Sequence, residues 1–177
     1  YLSERGYDCI PYYHRAINAD SSYSFDSENE RDIFDLLNKN NYDFIINCVG
    51  VLIKESEANP EKAIRINALF PRLLERYCRE LEIKIIHIST DCVFSGLQGN
   101  YREDSPKDGL DVYAKTKALG EIINVKDLTI RTSIIGPELK NNGTGLFDWF
   151  MKQKASAKGF ADHFWTGVTT LELAKAV

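Results

Sequence analysis

The chain has 177 residues, 44% of them hydrophobic, and a formal net charge of −4 at pH 7. This length suits a single domain with an ample core, and the acidic balance argues against binding to nucleic acid or to an anionic membrane surface. The longest apolar runs have the length of strands and fall short of the roughly 20 residues that span a bilayer, so we expect no membrane partner.

The first residues predict the end of a helix. Tyr1 to Gly6 is typical of last helical turns closed by a glycine, and a strand is predicted over about 8–14. No glycine belongs to a GxGxxG or GxxGxxG phosphate loop, and the chain has neither an initiator Met nor a signal sequence. Four cysteines lack CxxC spacing; a disulfide or zinc site is compatible with them, but buried, reduced thiols in a cytoplasmic protein are the better interpretation: Cys9, Cys48, Cys78 and Cys92.

Helices and strands then alternate along the chain. A Ser-x-x-Glu capping box at 27–30 predicts a helix with apolar positions Ile33, Phe34, Leu36 and Leu37. The segments 42–48, 83–88 and 128–131 read as strands, and Asn59-Pro60 starts a long helix. Further helices are predicted over about 112–124, over 145–154 and from Thr170 onward. This alternation predicts an α/β fold with a parallel sheet covered on both faces.

One strand and one helix carry the most informative motif. The apolar stretch from Ile83 to Ile88 ends in Ser89-Thr90-Asp91, at the sheet edge where open α/β folds bind ligands. Tyr113 and Lys117 are four residues apart and share a helical face. The ammonium is expected to pull the tyrosine pKa below its usual value of about 10, and Thr90 to add a hydrogen bond to the same oxygen. These groups suit carbonyl reduction; the alternative is a surface i,i+4 pair.

The order of these motifs resembles the extended short-chain dehydrogenase/reductase superfamily. Three segments are similar to the dTDP-4-dehydrorhamnose reductase family: Ser89 to Gly96, Tyr101 to Pro106 and Tyr113 to Glu121. The resemblance implies a Rossmann-type doubly wound parallel sheet, with a dinucleotide-binding domain over 1–137 and the truncated start of a substrate lobe over 138–177. It also implies that the first strand and its glycine loop lie upstream of Tyr1. We therefore expect these 177 residues alone to bind NADPH weakly and to catalyse no reduction.

The resemblance implies NADP (NADPH) as the cofactor, with NAD as the alternative. Arg15 suits the 2′-phosphate of NADP, unless it is an ordinary solvated arginine. Asp26 would lie against the adenine edge, unless it is a loop residue before the helix. Asn67 would brace the active-site strand, unless it lies at the surface, and His87 is expected in the core. The remaining cofactor contacts implied are Ser27, Cys48, Val49, Gly50, Ser89, Tyr113 and Lys117; the family usually has alanines near Cys48 and Val49.

The substrate contacts implied by the resemblance are Thr90, Asp91, Cys92, Ile134 and Trp165. Cys92 stands where sugar-nucleotide dehydratases carry a glutamate, and epimerases usually have serine or alanine in place of Thr90-Asp91, so simple reduction fits best. The family tends to have tyrosine at Cys92 and tryptophan at Ile134, which makes a changed sugar pocket plausible, for instance for a UDP-linked 4-ketohexose. Trp165 would stack on a sugar or base, or pack in the core.

The function implied is NADPH-dependent reduction of a 4-keto-6-deoxy sugar nucleotide for cell-surface polysaccharide. Thr90, Tyr113 and Lys117 would be the catalytic residues, with no metal ligand assigned, a cytoplasmic location and a homodimer allowed. Two alternatives stay open. One is a non-catalytic regulatory protein on the same fold, like the regulatory subunit of methionine adenosyltransferase, and the other is a sugar-nucleotide epimerase.

Overall fold

The computed structural model describes residues 1–14, 24–138, 143 and 145–177. The chain divides into two compact units: a larger one, Ile10–Arg131, and a smaller one that combines Tyr1–Cys9 with Thr132–Val177. The predicted domain division after residue 137 stays a prediction. The assignment of the N-terminal part to cofactor and the C-terminal part to substrate stays a prediction.

The larger unit contains a three-stranded sheet in the order β3, β4, β5. Strands β3 (Phe44–Asn47) and β4 (Lys84–Thr90) are parallel, with Phe44 opposite Lys84 and Asn47 opposite His87. β5 spans Leu128–Thr132. The predicted α/β fold with a parallel sheet is confirmed, because parallel neighbours require helical crossovers, and these are present. The helices after β3 are α2 (Ile53–Ala58), α3 (Pro60–Ala63), a π-helix (Ile64–Leu69), α4 (Phe70–Glu80) and α5 (Val112–Gly120).

The first elements of the larger unit differ from the prediction. The strand predicted over 8–14 is reduced to β1 (Tyr13–His14), which pairs in parallel with β2 (Ser24–Phe25). Pro11 lacks the N–H that a strand ladder needs, which accounts for the late start. Helix α1 (Glu30–Asn38) begins after Asn29, whose side chain accepts a hydrogen bond from the Arg31 N–H. The capping box predicted to begin at Ser27 is wrong.

A local turn explains where α1 starts. The Asp26 carboxylate accepts a hydrogen bond from the Glu28 N–H at 2.9 Å, which holds residues 26–28 in a turn ahead of the helix. Ser27 is buried in that turn. Ile33 and Leu37 enter the core as predicted, whereas Phe34 is 46% exposed and packs edge-on against Tyr77. The core joins α1, α4 and β4 through Ile33, Leu37, Phe70, Leu74, Cys78, Ile83, Ile85 and Ile122.

The long helix after β3 contains a feature that the sequence did not predict. It begins as expected at Asn59, which caps the Lys62 N–H, with Pro60 in the first turn. Residues Ile64–Leu69 then form a π-helix, whose extra residue per turn is frequent at functional sites. Helix α5 ends at Gly120, four residues before the predicted limit, and α2 was not predicted.

The smaller unit has little regular structure. A 3-10 turn over Ser3–Arg5 ends at Gly6, whose φ of 92° lies in the left-handed region that favours glycine, so the predicted glycine cap is confirmed. Strands β6 (Ile134–Ile135) and β7 (Val168–Thr169) are parallel. Helices α6 (Leu146–Met151) and α7 (Thr170–Ala176) are shorter versions of those predicted. In the described ranges, no helix has the length and apolar character that a membrane span demands.

Candidate active site

The end of β4 presents the hydroxyl of Thr90. Thr90 is in an extended conformation and caps a short 3-10 turn, Asp91–Val93, by accepting a hydrogen bond from the Cys92 N–H at 3.2 Å. The hydroxyl also donates to Asp91 at 3.4 Å. Thr90 itself is only 5% exposed. The prediction that the strand carries Thr90 to the carboxyl edge of the sheet is confirmed by the course of β4.

Helix α5 is fixed at its start by two carboxylates. Asp111 accepts a hydrogen bond from the Ala114 N–H at 2.6 Å, and Glu57 accepts one from the Val112 N–H at 2.8 Å. Acidic caps of this kind satisfy the free N–H groups of a first helical turn and favour its dipole. As a result Tyr113 lies in the first turn of α5 and Lys117 lies one turn later.

Tyr113 lies against Thr90 at the end of β4. Burial raises the pKa of Tyr113, and the Thr90 hydroxyl lowers it by a smaller amount. Cys92 and the charges of Asp91 and Asp111 raise this pKa further. The expectation that Lys117 pulls this pKa below 10 is wrong, since the pKa is raised and burial is the largest cause. Tyr113 is therefore a protonated phenol at neutral pH, placed beside a threonine hydroxyl.

Lys117 is buried in the larger unit. It is 4% exposed, and its Nζ donates to the Ile88 carbonyl at 2.9 Å. Burial lowers the pKa of Lys117 to about 8, against the charges of Glu121 and Cys48, which raise it. The alternative interpretation of Tyr113 and Lys117 as a surface pair is wrong, because the lysine is buried and packed against β4.

The loop after β3 approaches Lys117 closely. A Cβ placed on Gly50 would lie 3.3 Å from Asn67 Oδ1 and 3.9 Å from Lys117 Nζ, so a side chain here would crowd Asn67 and touch the ammonium. Asn67, fully buried in the π-helix, accepts from the Val51 N–H and donates to the Val51 carbonyl and to Thr116 Oγ1. Asn67 thus braces the loop after β3 and helix α5; the active-site strand is not its partner, and that expectation is wrong.

The four cysteines differ in their exposure to solvent. All four cysteines are free, but only Cys78 is buried; Cys9 and Cys48 are exposed and Cys92 is half-buried, so the expectation of four buried thiols is wrong. Burial raises the pKa of Cys92, which stays a neutral thiol beside Thr90. His87 lies in the core as predicted.

The tautomer of His87 follows from its neighbour. Asn47 Oδ1 accepts from the Val49 N–H at 3.0 Å, so its Nδ2 must donate to His87 Nδ1, also at 3.0 Å. His87 Nδ1 is therefore an acceptor and the ring is neutral. Burial and the nearby charge of Lys117 lower the pKa of His87 to about 3. The ring supports β3 and β4 and takes no proton in the physiological range.

The other predicted contacts are distributed over the chain. Asp26 and Ser27 precede α1, Cys48 and Val49 follow β3, and Ser89 donates to Glu121. Ile134 and Trp165 belong to the smaller unit, where both are exposed. Arg15 lies outside the described residues. The cofactor and substrate roles of these residues stay predictions.

Sequence reasoning missed a buried ionic cluster behind the site. Glu121 is fully buried and pairs with Lys107 and Arg131. Two features of the sequence could have indicated it: Glu121 continues the spacing of Tyr113 and Lys117 by another four residues, and an arginine follows Leu128-Thr129-Ile130 within an apolar strand. A charged side chain in an apolar segment predicts an opposite charge nearby, because burying an unpaired charge costs a large free energy.

Comparison with known proteins gives consistent results. The chain matches the family described as RmlD substrate binding domain over residues 2–177. It is 33% identical over 109 residues to the probable low-salt glycan biosynthesis reductase Agl14 of Haloferax volcanii, which covers 58% of this chain and 36% of the relative. A hypothetical dTDP-4-dehydrorhamnose reductase from Sulfolobus tokodaii has a TM-score of 0.71 and 33% identity over 77% of this chain and 51% of that chain.

A structure solved with a cofactor is also similar. The dTDP-4-dehydrorhamnose reductase of Bacillus anthracis str. Ames in complex with NADP has a TM-score of 0.61 and 25% identity over 67% of this chain and 47% of that chain. The chain thus spans about half or less of the length of each relative. The likeness confirms the predicted Rossmann-type α/β fold. Since the family match extends over nearly all of its residues, the chain belongs to the RmlD substrate-binding-domain family, whose similar members include dTDP-4-dehydrorhamnose reductases.

Proposed function

We propose that this chain carries the catalytic centre of an NADPH-dependent reductase acting on a 4-keto-6-deoxy sugar nucleotide such as dTDP-4-dehydrorhamnose. The observation that carries the proposal is the placement of Tyr113 beside Thr90, with Lys117 buried one helical turn farther along α5 and its Nζ bound to the Ile88 carbonyl. Two hydroxyl groups that lie side by side can both hydrogen-bond to one carbonyl oxygen. A buried ammonium beside them suits the ribose of a dinucleotide.

The residues around Lys117 fit such a cofactor. Within the described residues, one of the three Lys117 N–H donors is used by Ile88, which leaves donors for ribose hydroxyls. Gly50 keeps the adjacent loop free of a side chain that would crowd Asn67 and Lys117. Lys117, Gly50 and Tyr113 would therefore hold the nicotinamide half, and Asp26, Ser27 and Arg15 the adenosine half. When bound, NADPH supplies the hydride.

Tyr113 provides the proton. Because its pKa is raised, the phenol is protonated at neutral pH and can donate to the oxygen of the ketone as the carbon gains the hydride. The products are a secondary alcohol and a tyrosinate, which recovers its proton from solvent. On substrate binding, Thr90 would turn its one O–H from Asp91 to the same oxygen and hydrogen-bond the developing alkoxide. Half-buried Cys92 and Asp91 adjoin Thr90 and would contact the sugar.

The test is the pair Tyr113→Phe and Tyr77→Phe in the full-length protein. NADPH oxidation is followed by absorbance with dTDP-4-dehydrorhamnose, and NADPH affinity by fluorescence. Tyr113→Phe should lower kcat by about 10²- to 10⁴-fold and leave the NADPH Kd nearly unchanged, since the phenol acts on the ketone. Tyr77, a half-buried residue of α4 that hydrogen-bonds Glu30, is the control, and Tyr77→Phe should leave kcat unchanged.

Two outcomes would contradict the proposal. A fall of less than threefold in Tyr113→Phe removes this residue from the mechanism. A parent protein that binds NADPH but consumes none with dTDP- or UDP-linked 4-keto sugars favours the regulatory alternative. Interconversion of two sugar nucleotides without net NADPH consumption would instead identify an epimerase.

A further inference from the structure

Behind the site, Glu121 forms a buried carboxylate centre. It is the C-cap of α5 and is fully buried. Ser89 Oγ donates to its Oε1 at 2.9 Å and Lys107 Nζ to its Oε2 at 3.0 Å. The guanidinium of Arg131 binds both oxygens, at 2.7 and 2.9 Å. Burial raises the pKa of Glu121, but these hydrogen bonds outweigh it, and the net pKa is lowered. The group is therefore an ionised carboxylate in the protein interior.

The same cluster holds the loop between β4 and α5, residues 91–111. Lys107 anchors one point of the loop to Glu121 and to the Ala118 carbonyl. Arg131 donates to the Glu103 carbonyl at 2.9 Å, and its guanidinium lies 5.1 Å from the ring centroid of Phe94. The loop is thus attached at three places to a cluster whose centre is one carboxylate, while Asp91 and Cys92 begin this loop.

Three side chains on successive turns after the start of α5 contact three consecutive residues of β4. Tyr113 lies beside Thr90, Lys117 donates to the Ile88 carbonyl, and Glu121 accepts from Ser89. The contacts that Lys117 and Glu121 make with Ile88 and Ser89 hold the two residues of β4 that precede Thr90, the proposed catalytic threonine. Glu121 therefore belongs to the same interface as the two proposed catalytic residues, although it lies behind them.

We propose that Glu121 is a positioning residue of this active centre: through Ser89 it fixes the strand end that carries Thr90, and its buried negative charge balances the buried positive charge of Lys117. This inference rests on the proposed reductase function. Glu121 has no contact with the ketone, so its effect on turnover passes through Thr90 and Lys117.

The charges around Lys117 predict the direction in which its pKa changes when a neighbouring charge is removed. The titratable groups that face Lys117 are Cys48 from the loop after β3, neutral His87 from β4, and Glu121 at the end of α5. Glu121 and Cys48 raise the pKa of Lys117 against its burial, which lowers it to about 8. Removing the Glu121 charge should lower this pKa further. Removing the Lys107 charge leaves the carboxylate less neutralised and should raise it.

The experiment compares Glu121→Gln with Lys107→Gln in the full-length protein. Both substitutions break the same ion pair, but they change the charge in opposite directions. The titration of Lys117 is measured by NMR of isotope-labelled lysine side chains, with the Lys117 resonance assigned by its loss in Lys117→Met. Glu121→Gln should move the midpoint down by about half a pH unit or more, and Lys107→Gln should move it up. Glu61→Gln, which breaks the exposed pair with Arg65, should leave it unchanged.

The same variants are then assayed as enzymes. The alkaline fall in kcat/KM should follow the Lys117 midpoint in each variant, and kcat of Glu121→Gln should fall more than NADPH affinity does. A Lys117 midpoint that is unchanged, or that moves in the same direction in both variants, overturns the inference. If Glu121→Gln does not fold, Lys107→Gln alone decides the question. An unchanged or lower Lys117 midpoint in Lys107→Gln then overturns the inference. Lack of activity in the parent would refute the proposed reductase, and the NMR titration would still test the charge balance.

Discussion

Gly120 marks the closest approach of helix α5 to the π-helix. A Cβ placed there would lie 1.9 Å from the Asn67 carbonyl oxygen, 3.0 Å from the Asn67 carbonyl carbon and 3.2 Å from the Ala68 Cα. All three are backbone atoms, so no side chain can rotate away to make room. We expect Gly120→Ala to destabilise the protein, because the two helices must separate to accept one methyl group.

The magnitude follows from the geometry. Carbon and oxygen atoms in contact are normally at least about 3.3 Å apart, so the helices would have to shift by about 1.4 Å at this point. Overpacking of this kind costs about 1–3 kcal/mol, and the better helix propensity of alanine returns about 0.5–1 kcal/mol. The net loss should be about 1 kcal/mol and at most about 2.5 kcal/mol. Since α5 carries Tyr113 and Lys117, a displacement of about 1 Å should also lower turnover by up to about 100-fold.

Urea unfolding followed by circular dichroism measures this loss. The matched control is Gly159→Ala, where a Cβ would meet no atom within 4 Å, and its free energy of unfolding should stay within about 0.5 kcal/mol of the parent. A Gly120→Ala protein as stable as the parent, with normal turnover, would refute the close approach of the two helices. A loss in Gly159→Ala equal to that in Gly120→Ala would show that the effect has no connection with this contact.

Three further predictions concern buried polar groups. Asn67→Ala leaves the Val51 N–H without its partner, while the Val51 carbonyl keeps the Ser56 hydroxyl as a donor. The substitution should cost about 1–3 kcal/mol in urea unfolding, and an unchanged stability would contradict the brace. The folded pKa of His87, about 3, lies below the ordinary value of about 6.5, so stability is lost as the pH falls through this range. His87→Gln should reduce that loss by up to about 1.4 kcal/mol per pH unit, and an equal slope in parent and variant would argue against a buried neutral ring. Lys117→Met should weaken NADPH binding in the full-length protein and abolish the activity change near pH 8; an unaltered Kd and pH profile would remove the lysine from the site.

Local patterns predicted the parts of the site that depend on local forces. The apolar run before Ser89 predicted β4 because β-branched residues in short runs favour buried strands. The i,i+4 spacing of Tyr113 and Lys117 placed them on one helix because that spacing is a property of the helix itself. The cap at Asn59 and Pro60 was likewise predictable, since capping involves neighbouring residues only.

The errors concern quantities that depend on distant residues. The start of α1 moved from Ser27 to Asn29 because Asp26 forms its own turn with the Glu28 N–H. The pKa of Tyr113 was expected to fall because a lysine lies four residues away, but it rises because the tyrosine is buried. The partner of Asn67 was misassigned because the π-helix, which turns its side chain toward Val51 and Thr116, leaves no mark on hydrophobic periodicity.

Burial acts in opposite ways on the two proposed catalytic groups, and this explains why the site needs a third charge. A buried phenol stays neutral, which suits Tyr113 as a proton donor. Burial alone drives Lys117 toward its neutral amine, which would bind ribose less well. The negative charge of Glu121 opposes that loss. A buried carboxylate is itself costly, and Arg131 and Lys107 offset the cost through side chains that are 17% and 26% exposed. The buried charge of Glu121 is therefore paired with two cations that are themselves in contact with water.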